Sequence, residues 1–178
     1  MSDHQQIILV DENDNQIGTD EKISAHSNGG KLHRAFSVFI FNSDGKLLLQ
    51  QRSKEKYHAP LMWANTCCSH PYPGEKTMDA AHRRLREELG FDCDLVEAFS
   101  FTYHEPVGNN LTEWEFDHVF FGRYDGKIEF NRSEVESIRW VDLSELRSDI
   151  NRNPEIYAPW LRICLDRVVE KYSEIYHK

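Results

Sequence analysis

No run of apolar residues in this chain approaches the ~20 needed to cross a bilayer as a helix. Positive charge is also in deficit: 21 Lys and Arg against 30 Asp and Glu leave a formal net charge of −9. Such a molecule does not as a whole attract nucleic acid or an anionic membrane, so neither is expected as a partner. An anionic ligand must therefore be drawn by a local cluster of cations. The opening MSDHQQIILVDEND is too acidic and too poor in apolar residues for a signal peptide, and the closing EIYHK carries no lipidation signal. A cytoplasmic location is the expectation. Neither a GxGxxG nor a flavin fingerprint occurs, so no organic cofactor is expected. Repeats, linkers and low-complexity segments are missing, and 178 residues suit one domain. Cysteine is sparse as well: Cys67, Cys68, Cys93 and Cys164 do not make a disulfide framework in an unsecreted chain of this size. A bridge between the adjacent Cys67 and Cys68 would be strained, so free thiols are expected.

What is present divides into strands and a few helices. Residues 7–10 read as a short strand, and DENDNQIG after them as turn material. HSNGGKLH, residues 26–33, is a Gly-rich loop with a histidine at each end. AFSVFIFN, residues 35–42, is apolar and rich in β-formers, and the turn after it leads into residues 46–51, which predicts a hairpin. Residues 53–74 hold three prolines and no periodicity, so a long ordered loop is expected there. Residues 77–89 predict a helix with Met78, Ala81, Leu85 and Leu89 on its apolar stripe and Arg84, Glu87 and Glu88 off it. Thr77 can cap its start and Gly90 its end. Strands are expected near 96–103, 112–124 and 137–141, then a short helix over about 143–150. Asn153 and Pro154 suit the start of a last helix, its early part distorted by Pro159 and its buried stripe formed by Leu161, Leu165, Val168 and Tyr172. Strands mixed with few helices imply a sheet covered by helices.

Several groups can carry chemistry. Asn65-Thr-Cys-Cys-Ser-His-Pro71 brings two thiols and an imidazole together, either as a zinc-binding set or as buried structural thiols. Glu113 and Glu115 are two apart, so in a strand they share a face. Asp117 extends it, which means either exposure or a cation held between the carboxylates. His26, His33 and His70 with the two glutamates would make a mixed N/O set suited to Zn²⁺, Mn²⁺ or Mg²⁺, or else are ordinary surface histidines. Arg84 and Glu88 are i,i+4 neighbours, readable as a surface ion pair or as a carboxylate for Mg²⁺ beside a guanidinium for phosphate. Lys22, Arg52 and Lys56 are further candidates for a phosphate clamp.

Together these residues resemble the type I isopentenyl-diphosphate isomerase family, a branch of the Nudix superfold, from about Ile8 to the last helix. The most specific pieces are NTCCSHP, RRLREELG, EWE and Pro159-Trp160, in the family's order. The resemblance implies an α/β (α+β) fold, a Nudix-type mixed sheet sandwiched by helices, with residues 1–178 as one domain. It also implies conversion of isopentenyl diphosphate to dimethylallyl diphosphate through a carbocation-like state. The Nudix box, G-x5-E-x7-R-E-U-x-E-E-x-G, is matched by Glu75, Arg83, Leu85, Glu87, Glu88 and Gly90 but carries Ser69 for the first Gly and Arg84 for a Glu. A cation at that point suits holding a diphosphate better than cutting it.

Carried over position by position, the resemblance implies that His26, His33, His70, Glu113 and Glu115 bind one divalent metal (Mn²⁺, Zn²⁺ or Mg²⁺). Glu88 would help hold Mg²⁺ with the diphosphate, which Lys22, Arg52, Lys56 and Arg84 would contact. Cys68 and Glu115 would transfer protons, with Tyr103 hydrogen-bonded near Glu115 and Trp160 facing the carbon skeleton. The partner would be a small isoprenoid diphosphate, and the protein a monomer or weak homodimer. Two rivals remain at this level. One is a Nudix hydrolase; the other is a zinc-stabilised binding module built on Cys67, Cys68 and His70.

Overall fold

The computed structural model describes residues 5–56 and 58–177. Its centre is β3 (His33–Phe41), whose continuous apolar run is explained by burial on both faces. β3 meets β1 (Gln6–Val10) at one edge and runs parallel to β8 (Leu111–Arg123), in register from His33 opposite Glu115 to Phe41 opposite Arg123. β2 (Gln16–Glu21) pairs with β1, and β7 (Leu95–Gly108) forms a long antiparallel pair with β8. β4 (Leu47–Arg52) pairs with β9 (Val135–Val141).

Helices cover both faces. The stripe of α2 (Thr77–Leu89), with Ala81, Leu85 and Leu89, packs in one cluster with Phe36, Val38, Ile40 and Phe120. The stripe of α4 (Pro159–Tyr176), with Leu161, Leu165, Val168 and Tyr172, packs in a second with Phe39, Phe41, Val119 and Phe121. Alternate residues of β3 and β8 thus feed alternate layers, which is the period of a strand buried on both sides. α3 (Leu143–Arg152) is started by Asp142, whose side chain accepts from the Ser144 and Glu145 backbone N–H groups. The architecture is the helix-sandwiched mixed sheet implied by the sequence.

Six local expectations need correction. The 35–51 hairpin exists only at its turn, where Phe41 faces Leu47; the two strands then separate. What separates them is the supposed loop, which supplies β5 (Trp63–Ala64) to β4 and β6 (Cys67–Ser69) to β3. Thr66 stitches the inserted segment to both, its hydroxyl donating to the Leu48 carbonyl at 2.6 Å and accepting from the Ile40 N–H at 2.9 Å. The DENDNQIG stretch ends in β2, and a five-residue helix α1 (Lys22–His26) precedes the Gly-rich loop. Arg84 and Glu88 are not a surface pair; both are buried. Lys76, not Thr77, stands at the helix N-cap, without a side-chain bond, while Gly90 closes the helix at φ 71° as expected. Finally, Pro154 belongs to a separate 3-10 turn, Pro154–Ile156, and Pro159 opens α4 rather than distorting it.

Candidate metal and proton-transfer site

Five residues from four elements converge on one buried point. His26 ends α1, His33 begins β3, His70 follows β6, and Glu113 and Glu115 share the inward face of β8. The register that sets His33 opposite Glu115 brings two of these together directly. One ligand atom from each of the five lies within 4.8 Å of all the others, and all five residues are buried.

The ring protons explain why this cluster suits a cation. His26 donates from Nδ1 to the Lys22 carbonyl at 2.6 Å, and His33 from Nδ1 to the Lys31 carbonyl at 2.7 Å. A carbonyl only accepts, so in the neutral rings Nε2 is left as a lone pair. Those lone pairs face carboxylates: His26 Nε2 lies 3.1 Å from Glu113 Oε2 and His33 Nε2 3.3 Å from Glu115 Oε2, and His70 brings its own Nε2 within 2.8 Å of the same Glu115 oxygen. Acceptor against acceptor is repulsive unless a proton or metal ion sits between, and backbone carbonyls that fix the far nitrogen are typical outer partners of ligating histidines. Burial pushes His33 down to about 4 and His70 well below its ordinary value. His26 is lowered by burial but raised overall by Glu113. Burial and the neighbouring Glu113 push Glu115 well up, whereas His26 holds Glu113 well down against the same burial. Three imidazoles and two carboxylates fit a divalent ion of the Zn²⁺, Mn²⁺ or Mg²⁺ kind.

A cavity opens beside this cluster. Glu115, Cys68 and Trp160 all line it. The Tyr103 hydroxyl donates to Glu115 Oε1, so Glu115 has one oxygen on Tyr103 and the other among the imidazoles. Burial raises the Cys68 thiol to about 12 against the lowering pull of Arg52, whose Nη1 lies 3.7 Å from the sulfur. Cys68 therefore keeps its proton at neutral pH. Trp160 is tethered at one end: its indole N–H donates to Asn65 Oδ1 at 2.9 Å, and the Asn65 amide donates to the Val38 and Cys67 carbonyls. Asp117, the third acid on this face, accepts from the Ser37 hydroxyl at 2.7 Å and is raised to about 7 by burial.

Cys67 and Cys68 point to opposite sides of β6. Cys67 joins the α2 cluster and Cys68 packs against the α4 cluster. The two thiols cannot share an ion, which removes the zinc-module reading; no cysteine belongs to the ligand group found among the described residues.

Three of the four residues of the expected phosphate clamp, Lys22, Arg52 and Lys56, border the cavity, and Arg84 is not among its lining residues. Lys22 is buried enough for its ammonium to fall to about 8. Arg84 donates to Glu88 Oε1 at 2.6 Å and to Glu134 Oε2 at 3.2 Å, and Gln50 donates to Glu88 Oε2 at 2.8 Å. Lys56 pairs with Glu134 and lies 3.8 Å from Glu88. Two carboxylates and two cations thus interlock, with burial raising Glu134 less than Lys56 lowers it, to about 2.

Three participants escaped the sequence reading. Asn65 stood inside the NTCCSHP motif, but its grip on Trp160, 95 residues on, has no local signal. Glu134 lies in a polar stretch that resembles any surface loop. His58 was hidden in the Pro-containing segment, although a fourth histidine beside a candidate clamp residue was a usable hint.

The family comparisons agree with this geometry. The NUDIX domain matches residues 31–162. Isopentenyl-diphosphate Delta-isomerase 2 of Aromatoleum aromaticum is 54% identical over 164 residues, 92% of this chain and 86% of that protein. The isopentenyl-diphosphate Delta-isomerase of Serratia proteamaculans is 49% identical over 86% of each chain. Among solved structures, DR0079 from Deinococcus radiodurans shares the fold at a TM-score of 0.78 and 22% identity, covering 92% of this chain and 98% of its own.

Proposed function

The chain belongs to the NUDIX domain family and, within it, to the isopentenyl-diphosphate Delta-isomerases, and on that premise we propose that it moves the double bond of isopentenyl diphosphate with Cys68 and Glu115 as its proton-transfer pair. Residues 1–178 act as a single isomerase domain, and the product is dimethylallyl diphosphate. The observation that carries this reading is a single buried cavity lined by the Cys68 thiol, the Glu115 carboxyl and the Trp160 indole.

Isomerisation adds a proton at one end of an unactivated alkene and removes one from the carbon on its other side. Cys68, a thiol at neutral pH, has a proton to give. Glu115, held by Tyr103, exchanges the other, and because the reaction is reversible each group serves in both senses. The Trp160 face stabilises positive charge developing on carbon, and bound substrate filling the cavity would displace the water that could capture it. Lys22, Arg52, Lys56 and Arg84 take the diphosphate, supplying binding energy remote from the reacting carbons. A divalent ion held by His26, His33, His70, Glu113 and Glu115 would lower the proton affinity of Glu115 and fix its orientation. A Mg²⁺ ion brought with the diphosphate would find Glu88.

Isopentenyl diphosphate incubated in D₂O and followed by proton NMR tests the reading. Deuterium entering the allylic product is the expected result. Turnover without deuterium uptake rules out protonation, and rapid phosphate release would favour the hydrolase alternative.

A further inference from the structure

His58 touches three parts of the site at once. Its Nε2 lies 3.0 Å from Glu113 Oε1, the oxygen turned away from His26, whose Nε2 meets Glu113 Oε2 at 3.1 Å. Arg52 Nη2 lies 3.2 Å from the same nitrogen, so His58 Nε2 stands between a donor and an acceptor; with its hydrogen turned to Glu113, which only accepts, it holds that carboxylate on the side away from His26. Arg52 Nη2 donates to the His58 carbonyl at 3.3 Å, and the same guanidinium lies 5.3 Å from the Trp160 ring centre. The His58 ring itself stands edge-on to Trp160, 6.4 Å between centres.

The segment that presents His58 is built for a fixed shape. Its C-terminal side is closed back on Arg52, which donates its backbone N–H to the Met62 carbonyl at 2.9 Å and accepts from the Leu61 N–H at 3.0 Å. Ala59 and Leu61, on either side of Pro60, hold φ of 46° and 60°, a region side chains rarely occupy. Strain of this kind persists where the surroundings over-determine the backbone, and it gathers at functional sites.

From this geometry we infer that His58 is a positioning residue: it holds Glu113 in its ligating orientation and links the metal centre to the phosphate clamp through Arg52. The inference rests on the metal reading above and adds to it an outer partner for Glu113. Loss of such partners typically weakens metal affinity about 10–100-fold.

The test is chelator competition against the full-length enzyme loaded with Mn²⁺, with no substrate present. His58→Leu should bind Mn²⁺ more weakly by about 10–100-fold, with kcat recovering as Mn²⁺ is raised. His58→Gln, whose amide N–H reaches the same oxygen, should stay within a few-fold of wild type, and the shorter His58→Asn should not. Wild-type affinity in His58→Leu overturns the inference. If His58→Leu does not fold, equal Mn²⁺ affinity in the Gln and Asn variants overturns it instead. Wild-type enzyme that binds no Mn²⁺ removes the metal reading and this inference together, and so separates that failure from the failure of His58 alone.

Discussion

At the scale of single residues, protonation state decides what each group can do. Cys68 is raised to about 12, so it carries its proton throughout the neutral range. At saturating substrate kcat should stay level between pH 7 and 9, while kcat/KM should fall through about 8 as the free enzyme's Lys22 loses its charge; a fall in kcat centred near the ordinary thiol value would mean the sulfur is more exposed than its buried setting allows. On the proposed mechanism Cys68→Ala and Glu115→Gln each remove a proton-transfer group, which is typically worth ~10²–10⁴ in rate. Steady-state kcat should drop by that order in both with circular dichroism unchanged, and either variant turning over at the wild-type rate drops out of the mechanism. Trp160→Leu keeps an apolar wall and removes the π face. An attraction of ~2 kcal/mol for a desolvated cation corresponds to about a 30-fold loss of kcat.

At the scale of elements, α2 shows both the reach and the limits of periodicity. Its bounds and its glycine stop were legible because helix propensity and an αL cap are local properties. The burial of Arg84 and Glu88 was not, since an i,i+4 pair looks the same on any helix; Gln50 and Glu134, from distant strands and loops, are what enclose it. The same division holds for the site. The alternation of Glu113, Glu115 and Asp117 on one face followed from strand geometry. His58 and Asn65 were missed because their partners lie far along the chain. Convergence of the five ligands came from family resemblance, not from spacing. The Gly90 stop itself is testable: a Cβ there would stand 2.5 Å from the Glu129 carbonyl oxygen, and the φ of 71° disfavours any side chain. Gly90→Ala should lower stability by at least ~1 kcal/mol in denaturant titration; an unchanged midpoint would mean the cap relaxes freely.

At the scale of the whole molecule, burial of ionisable groups sets the acid limit. His33 is depressed from 6.5 to about 4 and Glu134 from 4.5 to about 2. Each therefore contributes stability that is full above its unfolded value and lost as pH falls through its folded one. Asp117, raised from 3.8 to about 7, acts in the opposite sense over the range where the His33 contribution is lost, so thermal midpoints should decline below pH 4.5, as Glu134 is protonated. A midpoint constant from pH 4.5 to 2 would contradict the paired, ionised state of Glu134.

The parallel pairing of β3 with β8 joins His33 to Glu115 across 82 positions of chain. Closing so long a loop comes before any reward from the contacts it makes, so this pairing belongs to the slow, non-local part of folding. Until it forms, the histidines and glutamates are strangers in an open coil, and no site exists to hold an ion. Metal capture is therefore a late reporter of chain assembly, and an ion that binds only the finished sheet ratchets the population toward it.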